Sequence, residues 1–198
     1  MPIEFRSERL IAHSRSSDGS EKVERQLEVR FDPLLGTTAR VAQGVSLPKA
    51  EPSALAFIQA NDPACPFCPQ RLSKVTPQIL PTICAEGRIR RGETTLFPNV
   101  VPYSQYAAVA IFSARHWLAL REFTPRLIAD NLAAALRFVR QVLEFDARAQ
   151  YCAYNVNCHY PSGVRSRTLT RWAIRSARGR FLSAARASAS LQDARRAR

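Results

Sequence analysis

Two cysteines three positions apart, Cys65 and Cys68, sit among prolines in the stretch NDPACPFCPQRL. The tight turn between such thiols aims both sulfurs at one point about 2.3 Å from each, which makes the pair half of a tetrahedral metal site. A thioredoxin-like redox role would want a strand before the motif and a helix opening at it, and Pro63, Pro66 and Pro69 offer little of either. A metal site is therefore expected, with its remaining ligands elsewhere. Candidates are His13, Cys84, His116, Cys152, Cys158 and His159. His116 is the most attractive because it follows a strongly apolar stretch, whereas His13 falls in a polar segment.

Five cysteines, with no apolar run of signal-peptide length at the N-terminus, argue for reduced thiols rather than a disulfide framework. No stretch reaches the roughly 18 apolar residues of a membrane span, and a cytoplasmic protein without membrane contact is expected. Hydrophobic residues at 46% and charged residues at 23% suit a packed fold.

The net charge of +13 is unevenly placed. Residues 164–198 hold ten of the 29 basic side chains and one of the 16 acids, a net +9, which leaves +4 for the first 163 residues. The basicity belongs to the tail.

Local patterns supply the elements. ERQLEVRF alternates polar and apolar residues and runs through the turn DPLLG into TTARVA, the signature of a hairpin. Residues 44–64 read as a connector. GRIRRGETTLFPNVVPY forms two short extended pieces around Gly92, and YAAVAIFS, residues 106–113, forms a buried strand. Thr124 caps and Pro125 opens a helix running to Asp146, on which Ile128, Leu132, Leu136, Val139 and Leu143 share one face. AQYCAYNVN then returns to strand. Beyond Gly163 the chain is rich in arginine, alanine and serine without sustained periodicity, and a weakly structured basic tail is expected. The organisation is thus a flexible N-terminus over 1–22, a domain over 23–163 and a tail over 164–198.

CPFCP, LFPNVVPY, SARHWLALREFTPRLIADNL and YNVNCHYPSG, taken in order and at these spacings, resemble the galactose-1-phosphate uridylyltransferase family of the histidine-triad superfamily over residues 26–163, the first half of a typical member. The resemblance implies an α+β fold, an antiparallel sheet with the Thr124 to Asp146 helix packed on one face. It implies zinc held by Cys65, Cys68 and His116, substrate contacts from Asn99 and Asn157, a nucleoside-diphosphate sugar and a sugar phosphate as substrates, and a homodimer. The reaction implied is transfer of UMP between a UDP-sugar and a sugar 1-phosphate through a uridylyl-histidine, for which an imidazole is suited as nucleophile and leaving group.

The family's His-Pro-His motif is absent, and its two histidines fall at Thr168 and Thr170. With CGN arginine and TCN serine codons, a one-base shift over VRSRTLT is compatible with Ser-Ser-Leu-Pro-His-Pro-His, so the tail reads as an out-of-frame continuation; the same shift cannot give the family's following glutamine at Trp172. The chain as written is expected to lack transferase activity. Two other readings are a zinc-containing nucleic-acid-binding protein using the basic tail, whose affinity would fall steeply with salt, and a catalytically dead nucleotide-binding scaffold. Incidental polyanion binding by the tail is expected in any case.

Overall fold

A computed structural model describes residues 4–42, 65–149, 151–157 and 169–175. The expected connector over 44–64 lies outside the described residues, as do Cys158, His159 and most of the tail. The fold is α+β: two antiparallel sheets, a short helix and a long one. No helix among the described residues is long and apolar enough to cross a membrane.

The first sheet has the order β1 (Arg6–Arg15), β2 (Lys22–Phe31), β3 (Thr38–Ala42). Its alternating pattern puts Ala12, Leu27 and Val29 in the interior. In the turn after β2, Asp32 Oδ1 accepts from the amides of Leu34 at 2.8 Å and Leu35 at 3.1 Å. Gly36 closes that turn at φ +65°, a conformation L side chains rarely adopt. β1 corrects the expectation of a flexible segment over 1–22. It pairs with β2 along its whole length, from Arg6 opposite Phe31 to Arg15 opposite Lys22, with half-buried Leu10 and buried Ala12 on one face and exposed Ile11 between them on the other.

The second sheet has the order β4 (Ile89–Arg91), β5 (Thr94–Pro98), β6 (Tyr106–Ile111), β8 (Leu169–Arg175), β7 (Tyr151–Asn157). β8 corrects part of the expectation for the tail: seven of its residues form a strand at the interior of the sheet, antiparallel to both β6 and β7. Thr170, Trp172 and Ile174, at a period of two, are strand-favouring residue types that the surrounding arginines obscure.

Each face of this sheet packs on a helix. On one, Leu96, Ala108 and Ala110 meet Ala134, Ala135, Phe138 and Val142 of α2 (Pro125–Phe145). On the other, Phe97, Val109 and Ile111 meet Leu72 of α1 (Pro69–Val75) and Phe67, whose ring stacks on Phe97 with centroids 5.9 Å apart. The predicted start of α2 is present, with Thr124 Oγ1 accepting from the Leu127 amide at 3.2 Å and Pro125 in the first turn.

The buried stripe of α2, however, is not the one the large aliphatic residues suggest. Leu127, Asn131, Ala134, Ala135, Phe138 and Val142 are buried, whereas Ile128, Leu132, Leu136 and Leu143 are exposed. Two alanines side by side let the helix backbone approach the sheet closely, and Phe138 and Val142 fill the space beside them. The larger aliphatic side chains are left on the adjoining face.

An ion pair ties α2 to the turn before β4. Arg137 Nη2 donates to Glu86 Oε1 at 2.6 Å, and Cys84 Sγ donates to Glu86 Oε2 at 3.1 Å. The guanidinium first, and the thiol second, hold the Glu86 carboxyl down at about 2, from an ordinary value of 4.5. Burial pushes the Cys84 thiol up to about 11. A depressed carboxyl contributes stability above its unfolded pKa and loses it as pH falls through the folded value. Glu86→Gln is therefore expected to cost stability at pH 7 and to converge with the parent between pH 4.5 and about 2. Denaturant titrations at pH 7 and pH 3 check this, and an equal gap at both would contradict it.

Candidate metal centre

Ligands from two distant segments meet on the α1 side of the second sheet. Cys65 and Cys68 immediately precede α1, where Cys68 N approaches Cys65 O at 3.4 Å and Cys68 O accepts from the amides of Arg71 at 2.9 Å and Leu72 at 2.8 Å. This turn and first helical coil hold both sulfurs toward the sheet. His116 arrives from the other direction, five residues past the end of β6. Its loop is braced by Glu122, whose Oε2 accepts from the Ala119 amide at 2.6 Å while Oε1 pairs with Arg115 Nη1 at 2.7 Å. That amide, then the guanidinium, lowers the pKa of Glu122 and keeps it an acceptor.

The ligand atoms of Cys65, Cys68 and His116 all lie within 4.8 Å of one another, and this group could hold a metal ion. Cys65 is 1% exposed and His116 6%. Cys68 Sγ stands 3.2 Å from His116 Nδ1. The stacked Phe67 and Phe97 rings adjoin the Cys65–Cys68 turn.

The other sequence candidates among the described residues lie elsewhere. Cys84 is on the opposite face with Glu86, and Cys152 is exposed on β7. His13 is on β1, its Nδ1 3.3 Å from Glu24 Oε1.

The two asparagines are not brought together. Asn99 follows β5; its amide donates to Ala107 O at 2.9 Å and its Oδ1 accepts from the Val101 amide at 3.1 Å. Asn157 ends β7 and pairs with Leu169, which is level with Ile111. The four residues from Ala107 to Ile111 amount to about 13 Å of strand, and two intervening strands add about 14 Å across the sheet. No single phosphate group can touch both. Asn99 instead opens onto a cleft of about 180 Å³ between the first sheet and the 98–106 loop, lined in part by His13, Arg15, Arg25, Gln105 and Tyr106. Sequence patterns gave no sign of this cleft, because β1 and Asn99 are 84 residues apart at their nearest.

No family model matches the chain. An uncharacterized protein of Archaeoglobus fulgidus is similar to it, 30% identical over 165 residues that cover 81% of this chain and 47% of that protein. The chain thus spans about half the length of the relative it matches.

Proposed function

We propose that this chain is a nucleotidyltransferase-like protein of the galactose-1-phosphate uridylyltransferase type, organised by zinc on Cys65, Cys68 and His116, that binds a uridine nucleotide without turning it over. The observation that supports this reading most is the convergence of a thiol pair and an imidazole from segments separated by the first part of the sheet. Two thiolates and an imidazole are a donor set that zinc favours. In tetrahedral zinc a sulfur and a nitrogen ligand stand about 3.5 Å apart, close to the 3.2 Å between Cys68 and His116. When bound, zinc supplies a charge-neutralising crosslink between the start of α1 and the loop after β6.

The nucleotide reading rests on Asn99 and its cleft, where apolar walls adjoin Arg15, Arg25 and His13. Apolar walls suit a base and cationic groups suit its phosphates. Asn157 stands at the other end of the sheet, beside the segment where the nucleophile belongs. Thr170, which occupies the slot of the nucleophilic histidine, lies in β8, and its hydroxyl does not replace an imidazole as both nucleophile and leaving group.

The test has three readouts. Purified protein should carry close to one zinc per chain by elemental analysis. Uridine nucleotides should bind in calorimetry, with at least about tenfold loss in Asn99→Ala, a scale set by removal of one hydrogen-bonding group and its ordering of the loop. UDP-glucose with galactose 1-phosphate should give no turnover. Protein with no metal and no nucleotide affinity would sink the proposal, and turnover would overturn its inactive half.

A further inference from the structure

The first sheet carries an arginine where its pattern calls for an apolar residue. Residues opposite one another in an antiparallel pair share a face, and so do residues two apart along a strand. Arg25 stands opposite Ala12 and two positions before Leu27, both buried. It therefore lies on the core-facing row. Arg25 is nonetheless exposed, because the interior is hollow at this point: it lines the cleft of about 180 Å³ whose apolar walls include Ile79, Leu80 and Phe138.

No carboxylate answers this cation. None of the described residues lining the cleft is an aspartate or glutamate, and Arg25 has no ion pair among the described residues. Its neighbour Glu24 stands opposite His13, on the other face of the sheet, and is held by Lys22 Nζ at 3.1 Å and His13 Nδ1 at 3.3 Å. Asn99 adds a second donor from the facing loop. Its Oδ1 is taken by the Val101 amide at 3.1 Å, which leaves Nδ2 as the group it can offer a ligand. A guanidinium and an amide NH₂ donate hydrogen bonds and accept none. Against apolar walls, that donor set selects an acceptor-rich anion over a cation or a neutral ligand.

The hairpin that carries Arg25 is fixed in place. The Arg15 amide donates to Gln78 O at 2.8 Å and the Gln78 amide to Arg15 O at 3.0 Å. Gln78 Nε2 donates to Ser17 O at 2.8 Å, and a Cβ at either Gly19 or Gly87 would crowd the Gln78 side chain. The cleft is thus built before a ligand arrives, which spares the cost of ordering it.

We propose that Arg25 is the phosphate-recognising and specificity-determining residue of this cleft: its guanidinium takes two oxygens of a phosphoryl group, so the cleft accepts phosphorylated ligands and refuses their uncharged parents. The inference takes the base from the nucleotide reading above and the anion from Arg25 itself.

Calorimetry on the full chain with UDP, uridine and inorganic pyrophosphate tests it. UDP is expected to bind at least about tenfold more tightly than uridine, and pyrophosphate to bind by itself. Arg25→Ala should weaken UDP and pyrophosphate at least about tenfold, with an unchanged circular dichroism spectrum. Arg25→Lys should recover only part of the loss, since it keeps the charge without the fork. Arg30→Ala, on the outer face of the same strand beside Glu28, should change neither affinity. Equal affinities in the parent and Arg25→Ala would overturn this inference and leave the nucleotide reading standing. So would an equal loss in Arg30→Ala, which would reduce the effect to net charge. Pyrophosphate binding that depends on Arg25, with no affinity for UDP or uridine, would support the inference and sink the nucleotide reading. Binding of none of the three would overturn both.

Discussion

Cys65→Ser is expected to abolish metal retention and to lower folding stability by about 4 kcal/mol or more, beyond the usual range of single substitutions. The expectation follows from how little else holds this corner. α1 is only seven residues long, far below the length at which a helix persists alone. Its one buried side chain, Leu72, packs with Phe97, Val109 and Ile111. A metal ion held by Cys65, Cys68 and His116, as proposed, would supply the missing constraint. A hydroxyl is a poor zinc ligand, and at a site 1% exposed no water enters easily to take the place of the sulfur. Denaturant titration with and without a chelator separates metal loss from simple packing loss. The chelator should bring the parent down to the variant's midpoint and leave the variant unmoved. A parent indifferent to chelator would exclude a stabilising metal.

Phe138→Ala and Leu136→Ala, two positions apart on one helix, should differ by several kcal/mol. Phe138 is 3% exposed, in the cluster with Leu96, Ala108 and Val142. Its truncation leaves a cavity between helix and sheet and should cost about 3–5 kcal/mol. Leu136 is 54% exposed, and its truncation should cost the monomer less than about 1 kcal/mol, as for surface positions. Unfolding midpoints measured at low protein concentration, where association does not contribute, check the pair. Equal losses would mean that the helix sits rotated from the orientation described here.

That rotation is also where sequence reasoning fell short. Helical periodicity locates α2 and its Thr124 cap, but cannot say which of two adjoining apolar stripes is inside when Ala134 and Ala135 compete with Leu132 and Leu136. Hydrophobicity favours the leucines, and close approach to a sheet favours the alanines. β4 to β7 were legible because glycine, proline and alternation punctuate them. β1 was not, since only Leu10, Ile11 and Ala12 interrupt a polar run whose partner strand supplies the pattern. The three metal-ligand candidates were legible from the spacing of Cys65 and Cys68 and the place of His116 after a strand. The cleft beside Asn99 was not, because its walls come from segments that meet only in the folded chain. β8 was hidden by composition, its arginines masking the alternation of Thr170, Trp172 and Ile174.

The place of β8 in the sheet also sets the order in which the chain can fold during synthesis. Tyr106 pairs with Ile174 and Ile111 with Leu169, so one edge of β6 waits for residues made some 60 positions later. β7, although complete earlier, has no described strand to join until β8 arrives between them. A nascent chain that has emerged only as far as Asn157 can assemble β4, β5, β6 and α2, yet presents β6 as an open, alanine-rich edge able to recruit another nascent chain. Closure of this long-range pairing is intrinsically slow. Between emergence of Asn157 and of Arg175, therefore, one edge of β6 stays unpaired by its own chain.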